Sequence, residues 1–188
     1  KGAESHIFLR HALERAAASE AFGKLKPGEA MELAFPVGLA ADAVLLVKLD
    51  RRADVATARK AGGAIGRGRS TLATLVLADT IQRAAEVSFG IALRAYDCAV
   101  HKSGEKTLPG PVTMMVTVPE AVAAEAGPMA ALAEGIFFTR DLVNEPANIM
   151  STFDFAARLA AMHELGLEVE ILAEDERATL GMGPLLGV

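Results

Sequence analysis

The spacing of apolar and polar residues changes period several times along the chain. Ile7, Leu9, Leu13, Ala17 and Phe22 recur at helical intervals and predict a helix over 6–22. Lys26-Pro27-Gly28 marks a turn. Positions 30–35 (AMELAF) alternate as a strand does. Positions 43–49 (AVLLVKL) form a nearly continuous apolar run of strand length, the pattern of a strand covered on both faces. A helix is expected over 54–65, closed by glycines, then a buried strand over 73–78 (ATLVLA) and a helix over 80–96 interrupted at Gly90. A strand over 112–118 (VTMMVTV) is fenced by Pro111 and Pro119. A long alanine-rich helix should run from Glu120 to Asp141, followed by a helix over 151–165, a strand over 167–172 (LEVEIL) and a short helix over 174–180.

Strands separated by helices predict an α/β fold: a mixed, largely buried sheet flanked by helices, a long connector helix, and the start of a second α/β domain. There is no internal repeat and no low-complexity linker. The one stretch that reads as a boundary is the long helix running into 140–150.

Composition narrows the function classes. At 188 residues and 52% hydrophobic content, the chain suits one domain, or one domain plus part of another, with ample material for a core. A net charge of −5 argues against nucleic acid as a partner, although Arg67 and Arg69 could make a local basic patch. No continuous apolar run approaches the roughly 18 residues a membrane helix needs, so no membrane partner is expected. The start, KGAESHIF, has neither an initiator Met nor the apolar core of a signal peptide, and reads as an excerpt. The single cysteine, Cys98, leaves no internal disulfide and suits a reducing compartment, so a cytoplasmic location is expected.

Motifs with their own chemistry are few. Positions 63–70 (GAIGRGRS) have the spacing of a phosphate-binding loop, with Arg69 where lysine belongs. Such a loop must leave a strand directly, and here a whole helix intervenes, so close packing or helix termination is the better account of these glycines. His6, His11, His101 and His163 include no pair at i, i+4, and no spacing gathers the three or four ligands that zinc requires. Cys98 has no neighbouring base. Ser70, Ser88, Ser103 and Ser151 lie in no nucleophile-elbow context.

The stretch RDLVNEPANIM, 140–150, holds the only two asparagines, Asn144 and Asn148. Pro146 biases Glu145 toward extended backbone, asparagine side chains bond nearby backbone in turns, and Ser151 with Asp154 three residues on has the form of a capping box. On these grounds Asn144, Pro146, Asn148 and Ser151 are a structural corner between two helices, with little side-chain exposure expected.

The same stretch, TRDLVNEPANIM, resembles the Arg-Asp-Leu-x-Asn-x-Pro-x-Asn segment that opens the catalytic domain of the leucyl (cytosol) aminopeptidase family. Positions 166–188 (GLEVEILAEDERATLGMGPLLGV) resemble the next stretch of that family. GIALRAYDCAVHKS (90–103) and AVLLVKLDRRADVATARKAGGAIGR resemble upstream ones. The matches are collinear over nearly the whole chain. Departures include Cys98 and His101 in place of aromatics, Lys48 where glycine is common, and Thr152 in place of a proline just inside the helix cap.

The resemblance implies an N-terminal α/β domain over 1–118 that lacks its first strand, a connector helix over 119–141, and over 142–188 the truncated beginning of a metallopeptidase domain. Members of that family remove N-terminal residues from peptides with two divalent metal ions, zinc or manganese, and assemble as hexamers. Their ligands lie in a Gly-Lys-Gly-containing, an Asp-Met-Gly-Gly and an Asn-Thr-Asp-Ala-Glu-Gly-Arg segment, none of which occurs between Lys1 and Val188. The resemblance therefore transfers no catalytic residue, no cofactor-binding residue and no metal ligand to this chain, which is expected to be inactive alone. The alternative is a stand-alone α/β binding module for a nucleotide-like ligand, nucleic acid or a partner protein.

Overall fold

In the computed structural model of the chain, residues 2–97 and 108–186 are described. The order of elements is α1 (Gly2–Ala17), α2 (Glu20–Gly23), β1 (Ala30–Ala34), β2 (Ala43–Val47), α3 (Val55–Arg67), β3 (Thr74–Leu77), α4 (Ala84–Arg94), β4 (Val112–Met115), α5 (Pro119–Asn144), α6 (Thr152–Ala160), a 3-10 turn (Ala161–Leu165), α7 (Glu174–Thr179) and α8 (Gly183–Leu186). Two compact units emerge, Lys1–Phe138 and Thr139–Val188. The mixed α/β class is the one expected.

Local chemistry sets several boundaries. The single helix expected over 6–22 is two, because Ser19 turns the chain and its Oγ accepts from Phe22 N at 3.1 Å, capping α2. Asp54 caps α3, its Oδ1 accepting from Thr57 N at 2.7 Å. Bonds from Thr57, first from its hydroxyl, hold that carboxyl below the ordinary carboxylate range. Lys48 reaches the C-terminal end of α2, its Nζ donating to Gly23 O at 2.8 Å while lying 5.9 Å from the Phe22 ring centroid. A cation at a helix C-terminus complements the unpaired carbonyls there.

The strands form two small ladders. β1 and β2 are antiparallel, registered from Ala30 opposite Val47 to Ala34 opposite Ala43. β3 and β4 are parallel, from Thr74 opposite Val112 to Leu77 opposite Met115. The expectation of a largely buried sheet is corrected to one-sided cover. Val76, Ala78, Val112, Met114 and Val116 face α3 and α4, while Leu75, Leu77 and Met115 on the other face are 60%, 72% and 52% exposed. The reason is the period of two in a strand: one helical layer can cover only alternate residues, and apolar content alone does not say whether a second layer exists.

The core of the first unit is made where α3 crosses α4. Ala58 and Ile65 from α3, and Ala84, Val87 and Ile91 from α4, enclose Val76 and Ala78. Gly62 and Gly90 let the two backbones touch. A Cβ on Gly62 would overlap Val87 O and come within 2.9 Å of Gly90 Cα, and one on Gly90 would overlap Arg59 O. Gly90 therefore does not interrupt α4 as its helix propensity suggested; it admits the partner helix. Beside this crossing Arg59 lies 4.9 Å from the Phe89 ring centroid and pairs with Glu86 at 2.6 Å.

α5 starts at Pro119, where a missing N–H costs nothing, and runs through Pro128. Its less exposed positions, Val122, Ala126, Met129, Ala133 and Ile136 with Phe137, recur at three- and four-residue intervals as one stripe. Val122 packs on the core cluster, and Phe137 meets Tyr96 with ring centroids 5.4 Å apart. By length and composition α5 is the one helix among the described residues able to cross a membrane. Its apolar content is not continuous, because Glu125, Gly127, Pro128 and Glu134 break it into short runs. Of its residues only Ala133 is buried.

In the second unit the expected strand over 167–172 is irregular. A strand is stabilised by its partner, and among the described residues no strand pairs with it. None of α6, the 3-10 turn, α7 or α8 holds a buried residue.

The helix crossing is directly testable. Gly62→Ala and Gly90→Ala should each lower stability in urea unfolding by about 3 kcal/mol or more, the upper end of overpacking costs. Gly63→Ala, at a helical position where an added Cβ meets nothing within 4 Å, should instead stabilise by about 0.5–1 kcal/mol.

Candidate functional site

Backbone bonds turn the chain at the corner after α5. Glu145 N bonds Asp141 O at 3.0 Å, and Pro146 O then accepts from both Ile149 N and Met150 N at 2.9 Å, reversing the chain. Ser151 follows as the cap of α6: its Oγ accepts from Asp154 N at 3.3 Å, and Asp154 Oδ2 accepts from Ser151 N at 3.0 Å and from Ser151 Oγ. Both halves of the capping box are present. The bonds from Ser151, its hydroxyl first, hold the Asp154 carboxyl below its ordinary range.

The side chains of Asn144, Pro146 and Asn148 are exposed, which corrects the expectation of little exposure. The turn closes through Pro146 O, so side-chain amides need not be buried to satisfy it. Glu145 is the shielded member, its side chain 14% exposed and 3.4 Å from Arg158 Nη2 on α6. Sequence reading passed over this pair. Thirteen residues separate its members, so only the folded corner brings them together.

The other candidates are dispersed. Gly63 to Arg67 are the last turns of α3, so their N–H groups belong to a helix and not to a loop leaving a strand. His11 lies on α1, 3.7 Å from Glu14, and His163 Nδ1 is 3.3 Å from Leu167 O. Ser70 Oγ accepts from Leu72 N at 3.1 Å, and Ser88 Oγ donates to Ala84 O at 3.2 Å. Cys98, His101 and Ser103 lie outside the described residues, as does the side chain of His6. Among the described residues no group of three or more His, Cys, Asp or Glu side chains is placed to hold a metal ion. A dinuclear site therefore finds no fit among them.

Sequence reading did not anticipate an open hollow of about 270 Å³ lined by Arg69, Ser88, Ile91, Ala92, Val112 and Met114, in which Ser88 Oγ lies against Met114 Sδ. Arg69 Nη2 donates to Gly110 O, which fastens the loop after α3 to the approach to β4. Its Nε–H is shut off from solvent and has no acceptor.

The fold and corner thus define a mixed α/β unit carried by a long helix into a capped turn. Comparison with known proteins shows what the chain is similar to. No family model matches the chain. Curated relatives do: the probable cytosol aminopeptidase of Cereibacter sphaeroides is 83% identical over 180 residues, 96% of this chain and 37% of that protein. Those of Dinoroseobacter shibae and Caulobacter vibrioides are 48% and 39% identical, each over 94% of this chain and 36% and 38% of theirs. Among solved structures, the bottromycin maturation enzyme BotP superposes with a TM-score of 0.59 at 25% identity, over 84% of this chain and 35% of its own. BotP in complex with Mn superposes with 0.58 at 26% identity, over 84% and 34%. The chain is a relative of the cytosol aminopeptidases along nearly all of its length, and it spans about 37% of the relative it matches at 83% identity.

Ser151→Ala should destabilise α6 by about 1 kcal/mol, the usual cost of losing a serine cap. Because the folded-state pKa of Asp154 is lowered, its contribution is present above the unfolded carboxylate value. It is lost as pH falls through the folded value. A carboxyl-detected NMR titration should find the Asp154 pKa depressed in the unmodified chain and returned toward the ordinary value in Ser151→Ala.

Proposed function

We propose that this chain is the N-terminal portion of a dinuclear-metal aminopeptidase that removes N-terminal amino acids from peptides, and that it is inactive by itself. The observation that carries the reading is the 83% identity over 180 residues to a probable cytosol aminopeptidase of which those residues are only 37%. At that identity the two chains share a fold and ancestry, and most of the relative's length has no counterpart here. The peptidase part of the reading rests on the relatives' names. Its metal part rests on the family resemblance and on the Mn complex of the structural neighbour BotP.

Two metals in such an enzyme would activate a water and polarise the scissile carbonyl. The three segments that supply the ligands in the resembling family are missing from positions 1–188. This chain's part is then architectural: residues 1–118 as an N-terminal α/β domain, 119–141 as the connector helix, and the corner at 144–151 as the entry to a peptidase domain. The same reading gives a cytoplasmic hexamer whose partners are peptide substrates and its own copies.

The test is to assay the 188-residue chain beside the full-length gene product with a leucyl chromogenic amide and added manganese. The full-length protein should turn over and be silenced by a chelator, and the short chain should not differ from buffer. Chelator-sensitive turnover by the repurified short chain would overturn the assignment, and a gene that stops after Val188 would favour the stand-alone binding module.

A further inference from the structure

α5 is weakened at one point in its interior, and that point lies between two attachments to the first unit. Pro128 has no N–H, so the Ala124 carbonyl loses the bond that a helix would give it, and the proline ring crowds the preceding turn. Gly127 beside it adds backbone freedom. Packing does not call for this glycine. A Cβ there would meet nothing within 4 Å, and its backbone is not left-handed. Ala124, Gly127 and Pro128 are all exposed, so solvent reaches the turn where the ladder of bonds is interrupted.

Before the weak point, Val122 packs on the core cluster. After it, Ala133 is buried and the Phe137 ring meets Tyr96 with centroids 5.4 Å apart. The hold is light: of the 26 residues of α5 only Ala133 is buried. Segments with few buried apolar contacts and exposed backbone bonds open locally, well below the free energy of global unfolding. A proline on the solvent side of a helix can also act as a fixed bend that fits the helix to its core. A fixed bend has no need of a glycine next to it, and close burial on both sides would hold it rigid; α5 has the glycine and little of the burial.

We propose that α5 is a hinged strap: it opens at 124–128, and the part after Pro128 lifts Phe137 from Tyr96 while Val122 stays on the core. The part that lifts runs on into the corner at 144–151. The hinge uses none of the peptidase chemistry, and its motion is independent of whether the full-length protein hydrolyses peptides.

The chain carries its own probe. Tyr96 is the single tyrosine and there is no tryptophan, so tyrosine fluorescence of the 188-residue chain reports Tyr96 alone. Hydrogen exchange followed by NMR on the unmodified chain should find the amides of 129–138 exchanging at least about tenfold faster than those of Ala58, Ala61, Val87 and Ile91 in α3 and α4. Low urea should leave the 129–138 rates unchanged, as local opening requires. Gly127→Ala combined with Pro128→Ala restores the helical ladder at positions away from the tyrosine ring. The double variant should slow exchange over 129–138 at least about tenfold relative to α3 and α4 in the same chain, and it should lower the quenching of Tyr96 by acrylamide. Exchange over 129–138 at the rate of the α3 and α4 amides in the unmodified chain would overturn the proposal, whether or not the variant folds. So would a double variant that slows all three helices by one factor, or that leaves Tyr96 quenching where it was.

Discussion

The close crossing of α3 over α4 at Gly62 and Gly90 is the contact on which the first unit depends. With no Cβ at either position, backbone meets backbone, and side chains along the two helices share the core: Ala58 and Ile65 on one side, Ala84, Val87 and Ile91 on the other. Close-packed interiors transmit such a constraint outward. The helix pair presents a single apolar surface, and Val76, Val112 and Met114 lie on it. The same crossing sets where the end of α3 lies relative to the middle of α4, and so places Arg69 beside Ser88, Ile91 and Ala92. A bulkier residue at either glycine would disturb the core and the cavity together.

The two units are stabilised differently. In the first, residues distant in sequence share a core, and polar groups such as Arg59 with Glu86 reinforce the contact between helices. In the second, several bonds are local: a capping box at Ser151, the turn on Pro146 O, and Glu176 Oε2 accepting from Ala173 N at 2.7 Å. Several of its large apolar side chains remain outside, with Phe153 85%, Phe155 44%, Leu165 78% and Ile171 51% exposed. Local bonds can hold helices in register, but they cannot bury that surface.

Much of this was legible beforehand, and the residues show why. Capping is local, so Ser151 and Asp154 announced α6 from their spacing alone. The apolar run at 43–49 announced β2, and the collinear stretches from Ala43 to Val188 pointed to a family that the relatives then supported. Exposure was not legible at Asn144, Pro146 and Asn148, because turn propensity says how a backbone bends and nothing about what covers it. Nor was it legible at Leu75 and Leu77, whose hydrophobicity fits a strand covered on either face or on both.

By itself, then, the sequence determined the alternation of helices and strands, the places where helices begin, and the kinship. All of these follow from chemistry within a few residues or from similarity along the chain. Tertiary structure alone decided that Gly90 is a contact point and not a break, that Glu145 meets Arg158, that among the described residues 167–172 finds no strand to pair with, and that Arg69 reaches Gly110 O. Each of these depends on which distant segment arrives at a given surface, and that is set by packing between elements rather than by the preferences of any one of them.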